Sequence, residues 1–576
     1  VLGGGNDLTI NFTQTATLNG FANVANFTSL GAADLNGTFA TTGDQNYADN
    51  VTLTGDTDFA GNRTTFTNGV LGGNNSLTIN FTHPSKLDGL ANINEFTSLG
   101  QIELNGSFQT AGSQNFDGGV SLGGDATLHA ASGFIKLNGI AGETYDLTIG
   151  NTTLPEPTAD LIITSDVALN ALNATTGNYA ASLTGASMKL QQATFDNSGD
   201  ITLGDEATDS LVIANGLFVQ DADVTTVAGA IASNGSEIRI RNINLTADTH
   251  IDTTNSNMVF GGAPILLDGN MQLNGFALDT KSGANATTLE GDITIANGSF
   301  EVLEGNLDLG ESGNASNAAN ITILETATIK VPASGTLNVF DGSQLDAGDN
   351  SITIIANNIS FQSNAGSFTS TKEITITPAT SGKDIFVGDI ADTKTTSDGL
   401  LINQTAYSKM QSPNLTIGGA GYDGTITVEN ANGTLGRLNL IADGTGGAIN
   451  ISDDLVLLGN DALGVSLYIE GSGGTTDVSG EINSAGDIII DDAVRILGAS
   501  QLWSDDGDIT ITGGSAGIYS ANGSHDLSLV AENGTITAGN QTGFGDNSGS
   551  DSFIDLLLMR SANTTIGDGN HTISGI

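Results

Sequence analysis

Three pairs of adjacent aspartates, Asp453-Asp454, Asp491-Asp492 and Asp505-Asp506, are the residues of this chain best suited to chemistry. Two carboxyl groups at the right separation can cleave a glycosidic bond, one as acid and the other as base or nucleophile. Neighbours on a strand point to opposite faces, however, so adjacency in sequence does not bring both to one site. Solvated turn carboxylates are the expected reading. A lyase acting on an acidic polysaccharide would need calcium-binding carboxylates beside a basic proton acceptor. The chain has only 15 Lys and Arg against 64 Asp and Glu. Glu237-Ile238-Arg239-Ile240-Arg241 supplies basic residues without the other parts. His83, His129, His250, His525 and His571 are scattered in no metal-binding spacing and read as surface or coil residues. Gly3-Gly4-Gly5-Asn6-Asp7 has the look of a calcium turn, but its second copy puts Ser76 where Asp7 stands. Trp503, the one tryptophan, offers no evident platform for a sugar. No catalytic, metal-binding or cofactor-binding residue is assigned, and no cofactor is expected.

N-x-[ST] sequons are dense, and an Asn- and Thr-rich chain with strand alternation generates them by itself. Asp34-Leu35-Asn36-Gly37-Thr38 and Glu103-Leu104-Asn105-Gly106-Ser107 nevertheless occupy matching repeat positions, each with an acid two residues before the asparagine. Asp568-Gly569-Asn570-His571-Thr572 has the same form. Asn36, Asn105 and Asn570 are the candidate glycosylation sites. An asparagine in a coil turn can equally join a stacked amide ladder.

The elements that would carry these residues are short strands. VLGGGNDLTINF at residues 1–12 returns as VLGGNNSLTINF at 70–81, and residues 1–59 align throughout with 70–128. Position 1 thus answers to position 70, a return far longer than the short unit of a calcium β-roll. Aromatic positions persist between copies, as in Phe12/Phe81, Phe27/Phe96, Phe39/Phe108 and Tyr47/Phe116. Alternation in Leu8-x-Ile10-x-Phe12 places every second side chain on one face of a strand. No long segment carries a helical stripe. The repeat is read as three turns of about 23 residues, within the range of solenoid repeats. Toward the C-terminus strand cores at Ile449, Leu467, Ile488, Ile509 and Leu527 recur at short, similar intervals. Gly-Asp-Ile introduces several of them, as at Gly199-Asp200-Ile201, Gly291-Asp292-Ile293 and Gly486-Asp487-Ile488. A glycine-aspartate turn before a short apolar strand, once per coil, specifies a parallel β-helix. With ~21 residues per coil and ~4.8 Å between strands, the chain is expected to make about 27 coils in a rod of roughly 130 Å.

Composition agrees. Gly 78 with Pro 7 excludes collagen, and 38% hydrophobic residues with only 14% charged ones exclude a disordered tail. A net charge of −49 repels phosphate backbones and anionic membranes, so neither nucleic acid nor membrane insertion is expected. There are no cysteines, hence no disulfide and no thiolate metal site. Val1 and Ile576 both fall in mid-pattern, as in a segment of a longer chain.

The phrases TTGDQNYADNVTLTGDTDF at 41–59 and TAGSQNFDGGVSLGGDATL at 110–128 resemble a recurrent unit of the filamentous haemagglutinin-like large exoproteins. GLLINQTAYSKMQSPNLTIGGAGYDGTITV at 399–428 resembles a second unit of that family, in which a short apolar strand and a polar segment precede two further strands. The likeness is clearest over 1–128 and 384–576. It implies a right-handed parallel β-helix, exported and displayed outside a bacterial-type cell, and adhesive or filament-forming. The family's N-P-N-L or N-P-N-G signature is absent from this sequence, with Ser412-Pro413-Asn414-Leu415 only a partial echo.

The expectation is therefore an all-β, right-handed parallel β-solenoid forming one elongated rod. It divides into tandem repeats over 1–139, irregular coils over 140–383 and haemagglutinin-like coils over 384–576. The expected role is structural and adhesive, at the cell surface, without catalysis. Expected partners are further copies joined end to end, a glycan or protein receptor on a host or cell surface, and an outer-membrane export partner. A polysaccharide-degrading β-helix enzyme and a surface-layer or sheath component are the alternatives.

Overall fold

The computed structural model describes residues 2–150, 154–296, 298–395, 397–433, 436–512, 517–521, 525–538 and 554–566. These residues are almost entirely strand, and every strand-to-strand ladder described is parallel. The fold is a parallel β-solenoid in each of two compact units, Val1–Met271 and Gln272–Ile576.

Each coil of the first unit has three short strand segments. Ser29 is continued by Tyr47, Phe66, Leu87 and Leu104 along one face. Leu35 and Leu53 stack on a second, and Phe39, Phe59 and Ile79 on a third. The steps are short, since a single coil carries the chain from Leu35 to Leu53, or from Phe39 to Phe59. Strands such as Gln45–Tyr47 and Thr64–Phe66 alternate buried, open, buried, which is the period-two pattern of the sequence put to use. The side chains turned inward form the core. Phe39, Tyr47 and Phe66 are fully buried, and the Tyr47 and Phe66 rings stack with centroids 4.8 Å apart.

The long repeat is not the expected three whole turns. Ser98, the counterpart of Ser29, does not fall on the Ser29 ladder but lies between Ile79 and Phe116. From Ser29, three coils bring the chain through Tyr47 and Phe66 to Leu87, and the stretch from Leu87 to Ser98 advances it two faces more. The repeat thus spans three and two-thirds coils. Coils are shorter than the sequence pattern suggests, and matching residues of the two copies stand on different faces with equivalent neighbours.

In the second unit the expected ladder holds only in part. Leu467, Ile488 and Ile509 do stack in successive coils. Ile449, however, lies against Thr476 rather than Leu467, and Ile509 continues to Ile536 rather than Leu527. Those coils are longer, one running from Ile449 to Thr476 and the other from Ile509 to Ile536. Loops inserted at coil corners lengthen a turn without disturbing the strands, so strand spacing in sequence misassigns partners there. The segment 399–428 forms strand Gly399–Ile402, a six-residue helix Gln404–Lys409 capped by Asn403, and strands Asn414–Gly419 and Thr425–Glu429. Its polar portion is the helix.

Gly-Asp corners have a steric and an electrostatic cause. A Cβ on Gly486 would strike the Gly464 carbonyl, and one on Gly507 would strike the Gly486–Asp487 backbone. The aspartate then serves the next coil: Asp487 Oδ1 accepts the Asp508 N–H at 2.7 Å, and Asp508 Oδ1 accepts the Thr535 N–H at 2.7 Å. Ser/Thr-x-Gly corners recur too, with Ser29, Thr41, Ser98, Thr110 and Ser484 each donating its hydroxyl to the carbonyl two residues on.

One difference between the copies has a measurable consequence. Buried Gln45 donates its amide to the Phe39 and Ala60 carbonyls, and its Oε1 accepts the Tyr47 hydroxyl at 2.9 Å. Gln114 repeats the amide bonds, to Phe108 and His129, but its hydroxyl partner is replaced by Phe116 and Gln114 Oε1 is left without a bond. An orphaned buried acceptor costs roughly 1–3 kcal/mol. Phe116→Tyr is expected to slow amide exchange in strands Gln114–Phe116 and Phe134–Leu137. Tyr47→Phe should speed it in Gln45–Tyr47 by the equivalent of about 1–3 kcal/mol. Exchange rates changing in the opposite sense would contradict this pairing.

Candidate functional site

The aspartate pairs separate as strand geometry requires. Asp491 is exposed and accepts the Thr512 hydroxyl, whereas Asp492 is buried and accepts the Ala493 N–H at 2.8 Å and the Thr476 hydroxyl at 3.1 Å. Burial raises the Asp492 carboxyl above its ordinary range, and its hydrogen bonds only partly oppose this. Asp453 and Asp454 cap their own corner and the Glu481 N–H of the next coil. Asp505 accepts the Trp503 indole N–H at 2.6 Å, and Asp506 accepts the Asn533 amide at 2.9 Å. None of the three pairs opens onto a shared cleft as an acid and base couple. Asp454, Asp491, Asp492 and Asp506 each bond a neighbouring coil, while Asp453 and Asp505 bond within their own.

The same use of carboxylates runs along the first unit. Asp7 Oδ1 accepts both the backbone N–H and the side-chain amide of Asn26, at 3.1 and 2.8 Å. Asn26 Oδ1 accepts the Asp44 N–H at 2.9 Å, and Asp44 Oδ1 accepts the Asn62 amide at 2.7 Å. An acid and an amide thus alternate from coil to coil, and Asp7 is the first rung of that ladder. Among the described residues no cluster of His, Asp and Glu could hold a metal ion. No described helix is long and apolar enough to cross a membrane.

The candidate glycosylation sites fall in two environments. Asn36 is exposed, with its side-chain oxygen against Gly55. Asn105 is half-buried over the equivalent Gly124, and its amide nitrogen, the atom a glycan would occupy, donates to Asp88 at 3.1 Å. Asn570 lies outside the described residues, as does His571. Sequon asparagines Asn26, Asn62, Asn320 and Asn533 likewise donate their amides to carboxylates. His129 is buried, its Nδ1 without a partner, and burial holds its imidazole below the ordinary value.

Two concavities were not legible beforehand. A shallow groove of about 540 Å³ in the first unit is floored by Ser121, Ala141 and Ala168 and carries Glu143, Asp166 and Lys189. Asp166 Oδ1 accepts the Ser187 N–H at 3.1 Å, so this carboxylate also caps the next coil. A smaller one of about 230 Å³ in the second unit includes Trp503 and Asp505. Both assemble residues from different coils, and only register reveals which. No protein-family model, curated protein or solved structure matches the chain.

Two substitutions test this assignment of the carboxylates. Asn26→Asp puts a charge between Asp7 and Asp44, losing an amide donor and adding repulsion. It should destabilise these coils by about 1–2 kcal/mol at low salt, less at high salt, read by local amide exchange. Asp492 has a folded pKa above its unfolded one, so its contribution to stability increases as pH falls through that raised value. Asp492→Asn, which keeps an acceptor and can donate to Thr476, should be at least as stable as the parent at pH 7 and should lose this site's pH dependence. A marked loss of stability at pH 7 would show that the charge itself is required.

Proposed function

We propose that the chain is a non-catalytic structural segment of a secreted cell-surface protein, a stiff coil-stacked stalk that adheres to a surface receptor and associates end to end. The observation that supports this reading is the stacking of short parallel strands coil upon coil, with their inward side chains buried, in each of the two units. The partners we propose are further copies joined end to end, a glycan or protein receptor, and an outer-membrane export partner.

The extracellular location rests on the resemblance of 41–59, 110–128 and 399–428 to large exoproteins. Asn36 is the sequon we propose as glycan-bearing, being exposed with its amide nitrogen free of any described bond. Intact-mass measurement of protein from its native source should show mass above the polypeptide, reduced in Asn36→Gln.

The depolymerase alternative draws on one observation, the groove holding Glu143, Asp166 and Lys189. The readings separate cleanly. Negative-stain images of the purified chain should show rods and end-joined polymers. Incubation with uronic-acid polysaccharides should release no reducing ends and generate no unsaturated product. Compact particles would contradict the stalk, and turnover abolished by Glu143→Gln would replace it with an enzyme.

A further inference from the structure

The 230 Å³ groove of the second unit carries an inference about what such a stalk would bind. Register places Val456, Asn483 and Trp503 in successive coils at one outward position, each flanked by buried neighbours. Leu458, Ala485 and Asp505 stand beside them in the lining. Leu458 is 66% exposed, a large apolar side chain left open beside the chain's single tryptophan. The indole is not free to turn: its Nε1–H donates to Asp505 Oδ1 at 2.6 Å. The second oxygen of Asp505 and the side-chain amide of Asn483 make no bond to any described residue. The groove thus joins a fixed aromatic face and an aliphatic wall to one unengaged carboxylate oxygen and one unengaged amide.

We infer that this groove is a binding subsite for one neutral pyranose ring. A pyranose has an apolar C–H face, which suits an indole, and a rim of hydroxyls that both donate and accept. A carboxylate oxygen accepts from hydroxyls, and an amide accepts from one and donates to another. The volume lies below the ~300–1,000 Å³ of pockets that enclose drug-sized ligands, so one ring fits and a chain would extend out along the surface. Sugar acids are disfavoured, because Asp505 lines the site and the whole chain carries −49. This deepens the adhesive reading by naming the receptor's chemistry and rests on that reading for its biological sense.

The single tryptophan makes the site directly readable. Titration of the full chain with methyl galactoside, methyl glucoside and methyl N-acetylglucosaminide, followed by tryptophan emission, should give a saturable change with at least one of them. A dissociation constant on the order of 1 mM is expected for a lone ring. Asn483→Ala, which leaves the indole and its Asp505 bond in place, should weaken that binding about tenfold, and Asp505→Ala should weaken it at least as much. N-acetylneuraminic acid should bind more weakly than the neutral glycosides. Absence of a saturable response to all three, an unchanged affinity in both variants, or tighter binding of the sugar acid would overturn the assignment. If Trp503→Ala leaves attachment of the chain to cells intact, the subsite fails while adhesion stands; if the parent chain attaches to no cell surface, the adhesive reading fails whatever the titration shows.

Discussion

Each coil must meet the polar edge of the next, and the rest of the structure answers to that requirement. A strand segment of only a few residues has few ladder hydrogen bonds of its own. The corners between segments expose backbone N–H groups that no strand can satisfy, and buried polar groups left unpaired are costly. The chain meets this with side chains. Aspartates cap the N–H groups of the following coil, as Asp56 does for Ser76, Asp125 for Asp146, and Asp160 for Ala180. Asparagines such as Asn26 donate their amide to one coil's carboxylate and accept the next coil's backbone N–H, and serines and threonines fold back onto their own corner carbonyls.

This explains a composition that otherwise looks like a functional signal. An excess of acid over base commonly directs attention to cations or basic partners. Here many of the carboxylates are engaged as acceptors for N–H groups directed at them, a task Lys and Arg cannot perform. Where cations do occur they often bridge coils as well, as in Arg495 with Asp477 and Lys330 with Glu301. The cost is accumulated like charge, which the alternation Asp7, Asn26, Asp44, Asn62 limits by interleaving amides. Stability in such a stack is a sum of neighbour interfaces, so a single rung matters locally rather than globally.

Much of the fold was legible in the sequence. Period-two alternation, the repeated aromatics and the Gly-Asp-Ile phrases led to short parallel strands stacked in coils, because each reports a local constraint that every coil must satisfy. Phase was less accessible. The return of the opening phrase at Val70 suggested whole turns, but repetition of sequence requires only equivalent neighbours, and a three-faced coil supplies those after any number of faces. Corner insertions misplaced Ile449 and Leu527 for a related reason: loops change spacing without changing pairing. The groove residues were hidden more deeply. Asn483 and Trp503 become neighbours only through register, and neither carries a motif. The aspartate pairs were conspicuous in sequence and prove to be corner residues.

The account stands on the corner carboxylates acting as acceptors between coils, and residue-resolved amide exchange tests that most directly. The N–H groups of Asn26, Ser76, Asp508 and Thr535 belong to no strand ladder bond named above and instead donate to aspartates of the preceding coil. They are predicted to be protected alongside the flanking strands, and each to lose protection when its own aspartate is replaced by alanine. Exchange of these amides at unprotected rates while the neighbouring strands stay protected would contradict the account.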